Sequence, residues 1–398
     1  MRILQLVNRI PYPLNDGGNI GVHYYTEGFL KAGVDLSMLA MNTTRHWIDT
    51  EQLPALYSEL AYFKAIEVDN RVKPLDAFLN LFKNSSYNID RFISDEYKKE
   101  LIDLLQKNTF DVVQLEGLFL VPYIEIIRKY SKAKISIRQH NIEFRIWERL
   151  ASKAKNPLKK WYLQLLAKRL KAFEIKHLND YDLALTISKE DDVFFKSLGK
   201  TSPTYLHTFG IDIDKIPFAP SSKLPLSLYH IGAMDWLPNQ ESVDWLLENV
   251  MPIVIEKMPD VQLHLAGRNM PEHYFAKETK NIIIHGEVPD AQAFEQNKSI
   301  LVVPLLSGGG VRIKIFQAMA MGKTIVTTPV GVEGIEVNDE VFIADDATNF
   351  ANKIIEILQC PHLVETTGKA ARKLVEEKYN RSVLIQNLLN KYEQLCNQ

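Results

Sequence analysis

Short apolar runs alternate with longer amphipathic stretches along almost the whole of this 398-residue chain. Residues 3–7, 36–40, 112–115, 135–138 and 183–187 have strand character, and 23–32, 95–107 and 121–130 between them have helical periodicity. The pattern resumes with strands expected at 227–231, 262–266, 282–285, 300–304 and 324–328, and helices at 240–257, 291–296 and 313–321. Apolar strands spaced by helices form parallel sheets covered on both faces, because a right-handed crossover places each helix back on the sheet. The chain is too long for one small core. Two Rossmann-like α/β domains follow: residues 1–210 and 227–375, joined by a linker at 211–226. The linker carries Pro217, Pro220 and Pro225 beside Ser221 and Ser222, a composition suited to neither helix nor strand. A helix over 370–395 is expected to return, through residues 376–398, to the first domain.

Composition excludes several classes. At 46% hydrophobic and 24% charged residues the chain is an ordinary globular one rather than a disordered one. Two cysteines, Cys360 and Cys396, make no disulfide scaffold and suggest a reducing, cytoplasmic compartment. No apolar run reaches the roughly 18–20 residues a membrane span needs, and the opening residues read as a strand, not a signal peptide. The net charge of −2 argues against a bulk electrostatic nucleic-acid binder. That total divides unevenly: residues 1–210 carry 30 Lys/Arg against 25 Asp/Glu, the remainder 17 against 24.

The richest segment runs from Pro304 to Gly322. A buried strand ends, Gly308, Gly309 and Gly310 follow, and a helix opens near Arg312. Glycines let backbone amides approach an anion closely, and the helix N-terminus points free N–H groups at the same place. Arg312 and Lys314 sit in the first helical turn, where cations oppose the helix dipole. A bound diphosphate would reconcile them with it; a glycine-rich connection with two solvated cations is the plainer alternative. The segment is not a Walker loop, since no Gly-Lys-Ser/Thr follows at the required spacing.

Several segments in this order resemble the donor-binding domain of retaining family-4 glycosyltransferases of GT-B fold, in the bacterial branch that builds exopolysaccharide and surface glycans. They are His230-Ile-Gly-Ala-Met-Asp-Trp-Leu-Pro-Asn-Gln-Glu-Ser-Val-Asp-Trp245, Leu263-His-Leu-Ala-Gly-Arg268, Gly286-Glu-Val-Pro-Asp290, the glycine loop, and Pro329-Val-Gly-Val-Glu-Gly334. The resemblance implies two Rossmann-like domains facing across a cleft. It further implies a nucleotide-sugar donor held near Gly232, Arg268, Gly286, Val288 and the Gly308, Gly309 and Gly310 amides, with Arg312 and Lys314 on the departing diphosphate. The family's two carboxylates, eight residues apart, are replaced here by Gly309 and Gln317. Gln317 can still hydrogen-bond a ribose, and Glu333 is the acid best placed to recover a lost contact. Front-face attack with retention, through an oxocarbenium-like transition state and without an enzyme nucleophile, is implied for the chemistry. Metal-independent transfer is expected, with no cofactor besides the donor.

On the acceptor side, Gly17 and Gly18 follow the first strand and match the family's loop over the cleft. His140, Asn141 and Glu143 stand in Ile137-Arg-Gln-His-Asn-Ile-Glu-Phe144, with His140 at a strand's C-terminal end, where open parallel sheets place ligands. The resemblance assigns His140 to the donor sugar or reacting phosphate, with Arg138 and Glu143 as neighbours. Residues 149–176 carry nine Lys/Arg against one acid, interleaved with Trp161, Tyr162, Leu163, Leu165 and Leu166. The stretch fits either a solvated helix with a core-facing stripe or one lying on an anionic membrane surface, where a lipid-linked acceptor is met. Rival readings are a nucleotide-sugar epimerase of the same architecture and a catalytically silent member that binds a nucleotide or partner. A dehydrogenase is disfavoured, since no Gly-x-Gly-x-x-Gly follows the first strand.

Overall fold

The computed structural model describes residues 1–14, 17–220, 226–307 and 312–397. The chain divides into two compact units: Met1–Thr208 together with Ile385–Gln398, and Phe209–Leu384. Among the described residues the first unit holds a seven-stranded sheet. Its strands are β1 (Arg2–Val7), β2 (Asp35–Thr43), β3 (Tyr62–Val68), β4 (Val112–Glu116), β5 (Lys134–Gln139), β6 (Leu183–Thr186) and β7 (Thr204–Leu206), in the order β3-β2-β1-β4-β5-β6-β7. The second holds six: β8 (Leu228–Ile231), β9 (Leu263–Ala266), β10 (Ile282–Gly286), β11 (Ile300–Val303), β12 (Thr324–Thr327) and β13 (Phe342–Ile343), ordered β10-β9-β8-β11-β12-β13. Every pairing is parallel. Central strands such as β4, β11 and β12 are buried throughout, which is why they are dominated by apolar residues rather than alternating.

Both orders reverse at one strand, β1 in the first sheet and β8 in the second. Consecutive crossovers there leave to opposite sides, and a crevice opens beyond the strands' C-terminal ends. These two places locate the candidate sites.

Three edge strands escape the sequence pattern. β3 is half-exposed and carries Lys64 and Glu67, so its apolar alternation is broken. β7 and β13 are only three and two residues long. The stretch expected as a linker is in part core: Ile211 and Ile216 are buried with Tyr229, Phe316 and Tyr379, while residues 221–225 lie outside the described ones. The single helix expected over 370–395 is two. Pro361–Leu374 continues through a π-turn at Val375–Tyr379, and the chain then breaks at Asn380, which bridges Ile211, before Arg381–Cys396 begins. From Ile385 onward that helix belongs to the first unit, where Ile385, Leu388, Leu389 and Tyr392 are buried. The basic stretch likewise forms two helices, Glu143–Lys153 and Pro157–Lys176, and the Asn156 side chain caps the second by accepting from Lys159 N at 3.1 Å. Cys360 and Cys396 are both free.

Candidate functional site

In the second unit the crevice beyond β8 is built on close backbone approaches. Gly232 N donates to Ala266 O at 3.1 Å and Gly267 N to Gly286 O at 2.7 Å, tying the ends of β8, β9 and β10 together. A β-carbon on Gly267 would stand 1.9 Å from the Gly232 oxygen, so this position accepts only glycine. Gly286 has φ +64°, a left-handed conformation that glycine adopts freely.

Beyond β11 the helix Ile313–Met321 begins at the same crevice and ends at Gly322, whose φ of +76° closes it. Arg312 is its N-cap residue and Lys314 lies in its first turn, as the pattern of the chain requires. The Lys314 Nζ donates to Asn239 Oδ1 at 3.1 Å. A β-carbon on Gly232 would come within 2.7 Å of that Nζ and 2.8 Å of Asn239 Nδ2. Asn239 is itself fixed, its Nδ2 donating to Ala233 O at 2.8 Å. Arg312 is 5% exposed and holds its guanidinium 5.7 Å from the Trp236 ring centroid, within cation–π reach.

Two cations so close resist being charged. Burial, then the like charge of Arg312, lower the Lys314 pKa to about 7, with Glu295 opposing them. Burial also lowers Arg312, partly offset by the Glu333 carboxylate. An anion brought here would relieve both groups. Among the remaining expected residues, Gln317 lies three positions beyond Lys314 on the same helix and is partly buried. Arg268 receives Met234 N on its backbone oxygen at 2.8 Å while its side chain reaches Asp235. Val288 packs against the core. Gly308, Gly309 and Gly310 lie outside the described residues.

The first unit has a cavity of about 280 Å³ at the C-terminal ends of β1, β2, β4 and β5, lined in part by Gly18, His140, Asn141 and Glu143. Gly17 is not in its wall. Both glycines sit in the first turn of the helix Gly17–Lys31 rather than in a preceding loop, and Gly17 is exposed, with open space where a β-carbon would stand.

Beneath the cavity lies a network that the sequence did not reveal. Glu116, at the end of β4, is buried; its Oε2 lies 3.1 Å from both Arg138 Nε and His140 Nε2. Its Oε1 accepts from the side-chain amides of Gln5, at 2.8 Å, and Gln114. Gln114 Oε1 in turn accepts from the Tyr392 hydroxyl at 2.7 Å. Arg138 also donates to His140 Nδ1 at 3.1 Å and to Gly21 O at 3.2 Å, and its guanidinium covers the Tyr25 ring at 4.0 Å. Because arginine only donates, His140 Nδ1 is the acceptor and Nε2 carries the proton given to Glu116. Both ring nitrogens are thus held by the protein.

Burial would raise the Glu116 carboxyl, but Arg138 and His140 outweigh it and hold the pKa at about 2. Burial and Arg138 lower His140, which stays neutral. Glu143, by contrast, is raised by burial to about 7, with Asn141 opposing. Glycine at 21 is what lets Arg138 in, since a β-carbon there would lie 2.8 Å from its Nη2.

Among the described residues no three His, Cys, Asp or Glu side chains group as metal ligands, and no helix is long and apolar enough to cross a membrane.

Residues 225–360 match the family described as glycosyl transferases group 1. Over 402 aligned residues the chain is 23% identical to an uncharacterized 44.6 kDa protein in the cps region of Klebsiella pneumoniae, covering 95% of this chain and 96% of that one. It is 24% identical to the capsular polysaccharide biosynthesis glycosyltransferase CapM of Staphylococcus aureus, over 52% of this chain and 56% of the relative. Among solved structures, Anabaena HepE in complex with UDP superposes with a TM-score of 0.65 at 13% identity, over 99% of this chain and 100% of that one. The fold is GT-B, two Rossmann-like units each with a parallel sheet.

Proposed function

We propose that this chain is a glycosyltransferase of capsular or other cell-surface glycan synthesis, moving a sugar from a nucleotide-sugar, held by the second unit, to a hydroxyl of a glycan or lipid-linked acceptor, held by the first. The observation that carries this is the placement of Lys314 against Gly232 and Asn239, with Arg312 beside it, at the switch point of a unit whose residues match the group 1 family. CapM, a capsular glycosyltransferase by description, and the UDP bound to HepE support the same reading.

Sugar transfer of this kind leaves negative charge on the departing diphosphate. Once donor binding has charged Lys314, it, Arg312 and the N-terminus of their helix supply positive charge that is in place before the bond breaks, so little reorganisation is needed. In this reading they take the place of a divalent cation. Transfer proceeds with retention, by front-face attack of the acceptor hydroxyl on an oxocarbenium-like centre. The hairpin around residues 149–161 supports contact with an anionic membrane. Lys153, Lys155, Lys159 and Lys160 are exposed there beside exposed Leu150, Leu158 and Trp161.

The deciding experiment is calorimetric titration of a panel of nucleoside diphosphates, followed by donor hydrolysis and transfer assays in the presence of a chelator. Binding that Lys314→Ala weakens at least tenfold, with chelator-insensitive turnover, is expected. Binding without turnover on any donor would instead favour the silent reading, to which the replacement of a family carboxylate by Gln317 lends weight. No binding at all would overturn the proposal.

A further inference from the structure

The cavity in the first unit is more basic than sugar recognition alone requires. Arg9, Arg45 and Arg91 line it, against the carboxylates of Glu116 and Glu143. Glu116 is spent on Arg138 and His140, and Glu143 is half-protonated near neutrality because burial raises it to about 7. The wall therefore carries a net positive charge.

Arg45 and Arg91 are brought together by Asn70. Arg91 Nη1 donates to Asn70 O at 3.0 Å, and the Arg45 backbone N donates to Asn70 Oδ1 at 3.4 Å. Burial and the like charge of Arg45 both disfavour a charged Arg91, with only Tyr87 and Tyr162 opposing. The Arg91 Nε is buried with no hydrogen-bond partner among the described residues. Arg91 also borders a second cavity of about 470 Å³, where Asp69 and Asp90 are engaged elsewhere. Asp69 pairs with Arg71 at 2.9 Å and Lys73 at 3.1 Å, and Asp90 accepts from Ser85 and Asn80. Two guanidinium groups with no carboxylate partner among the described residues, one of them with a buried and unsatisfied Nε, suit an oxyanion, which they bind in bidentate fashion. Beside them lie the rings of Phe92 and Phe119, 4.6 Å apart, with the Arg91 guanidinium 6.0 Å from the Phe92 ring centroid. Aromatic faces of this kind suit the C–H face of a sugar ring.

We infer that the first unit's cavity recognises an acceptor bearing an anionic substituent, a phosphate or a carboxylate, on or beside its sugar, with Arg45 and Arg91 as the residues that select it. This rests on the reading that the first unit holds the acceptor. It adds a charge requirement that transfer alone does not impose.

The test uses the full-length Lys314→Ala protein, so that the donor side does not dominate, and titrates inorganic pyrophosphate, glucuronate and, as the uncharged control, glucose. Pyrophosphate or glucuronate should bind, and Arg45→Glu or Arg91→Gln should weaken that binding at least tenfold. Preference for pyrophosphate assigns a phosphate-bearing acceptor, and preference for glucuronate assigns a uronic acid. Arg45 is exposed, so Arg45→Glu remains informative if Arg91→Gln fails to fold. Neither oxyanion binding, or binding untouched by the folded variants, would overturn the inference. Nucleoside diphosphate binding by the unaltered protein is scored separately. If it is present, only the acceptor inference has failed; if it is absent, the transferase reading has failed with it.

Discussion

The Lys314 ammonium lies 3.1 Å from the Asn239 side-chain oxygen and 2.7 Å from the point a β-carbon on Gly232 would occupy. The two residues are 82 positions apart, and the empty space at one is the seat of the other. Nothing larger than glycine at 232 is compatible with this seat for the lysine.

Gly232→Ala should therefore act through Lys314. The added methyl must push the ammonium and Asn239 aside, at a stability cost of about 1–3 kcal/mol. Calorimetry should show at least a tenfold loss of nucleoside diphosphate affinity, with urea unfolding reporting the smaller change in stability.

Donor binding should also take up a proton. Burial and Arg312 lower Lys314 to about 7, and a bound diphosphate raises it again. Above pH 7.5, where a terminal phosphate of pKa about 6 is already ionised, affinity should fall by up to about tenfold per pH unit. Lys314→Met should abolish that slope. In the free protein the sign is opposite. The unfolded chain holds the lysine's proton to about pH 10.4 while the folded chain gives it up near 7, so Lys314 destabilises less as pH rises between those values.

Glu116→Gln would leave Arg138 buried without its counter-ion. Breaking such a pair costs about 3–5 kcal/mol, and a matching drop in thermal stability is expected. The pH dependence follows from the depressed carboxyl. Its pKa of about 2 lies below the roughly 4.3 of an unfolded glutamate, so its stabilisation is complete above about pH 5 and is lost as pH falls toward 2. Acid unfolding of the Gln variant should lack that component.

Gly21→Ala should destabilise the protein, although it stands inside the helix Gly17–Lys31. Helix propensity alone favours alanine by about 1 kcal/mol. The β-carbon would sit 2.8 Å from Arg138 Nη2, whose guanidinium is held by Glu116, His140 and Tyr25 and cannot swing away. A gain in melting temperature would show that Arg138 is free to yield.

The parallel sheets were legible because strands buried on both faces are dominated by apolar residues, as residues 300–303 show without interruption. The half-exposed edge strand β3 was not legible, since Lys64 and Glu67 erase its pattern. Nor was the break at Asn380. A helical periodicity runs across it, while in the structure Asn380 is extended, bridges Ile211 and accepts from Ser382 N at 3.1 Å. For the site, Arg312 and Lys314 stood out as cations placed against a helix dipole, and His140 as a histidine at a strand end. Asn239, Glu116 and Gly21 carried no comparable signal, because each matters only through a partner far away in the chain.

By itself, then, the sequence determined what depends on neighbours along the chain: the alternation of strands and helices, and the cations at the start of the helix Ile313–Met321. Tertiary structure alone decided which distant groups share a proton or a space. It joined Gln5, Glu116, Arg138, His140 and Tyr392 into one buried network, and it gathered Arg9, Arg45 and Arg91 around one cavity. The physical reason is that burial and electrostatic coupling act through space over a few ångströms, whereas strand and helix patterning acts through the local geometry of the backbone.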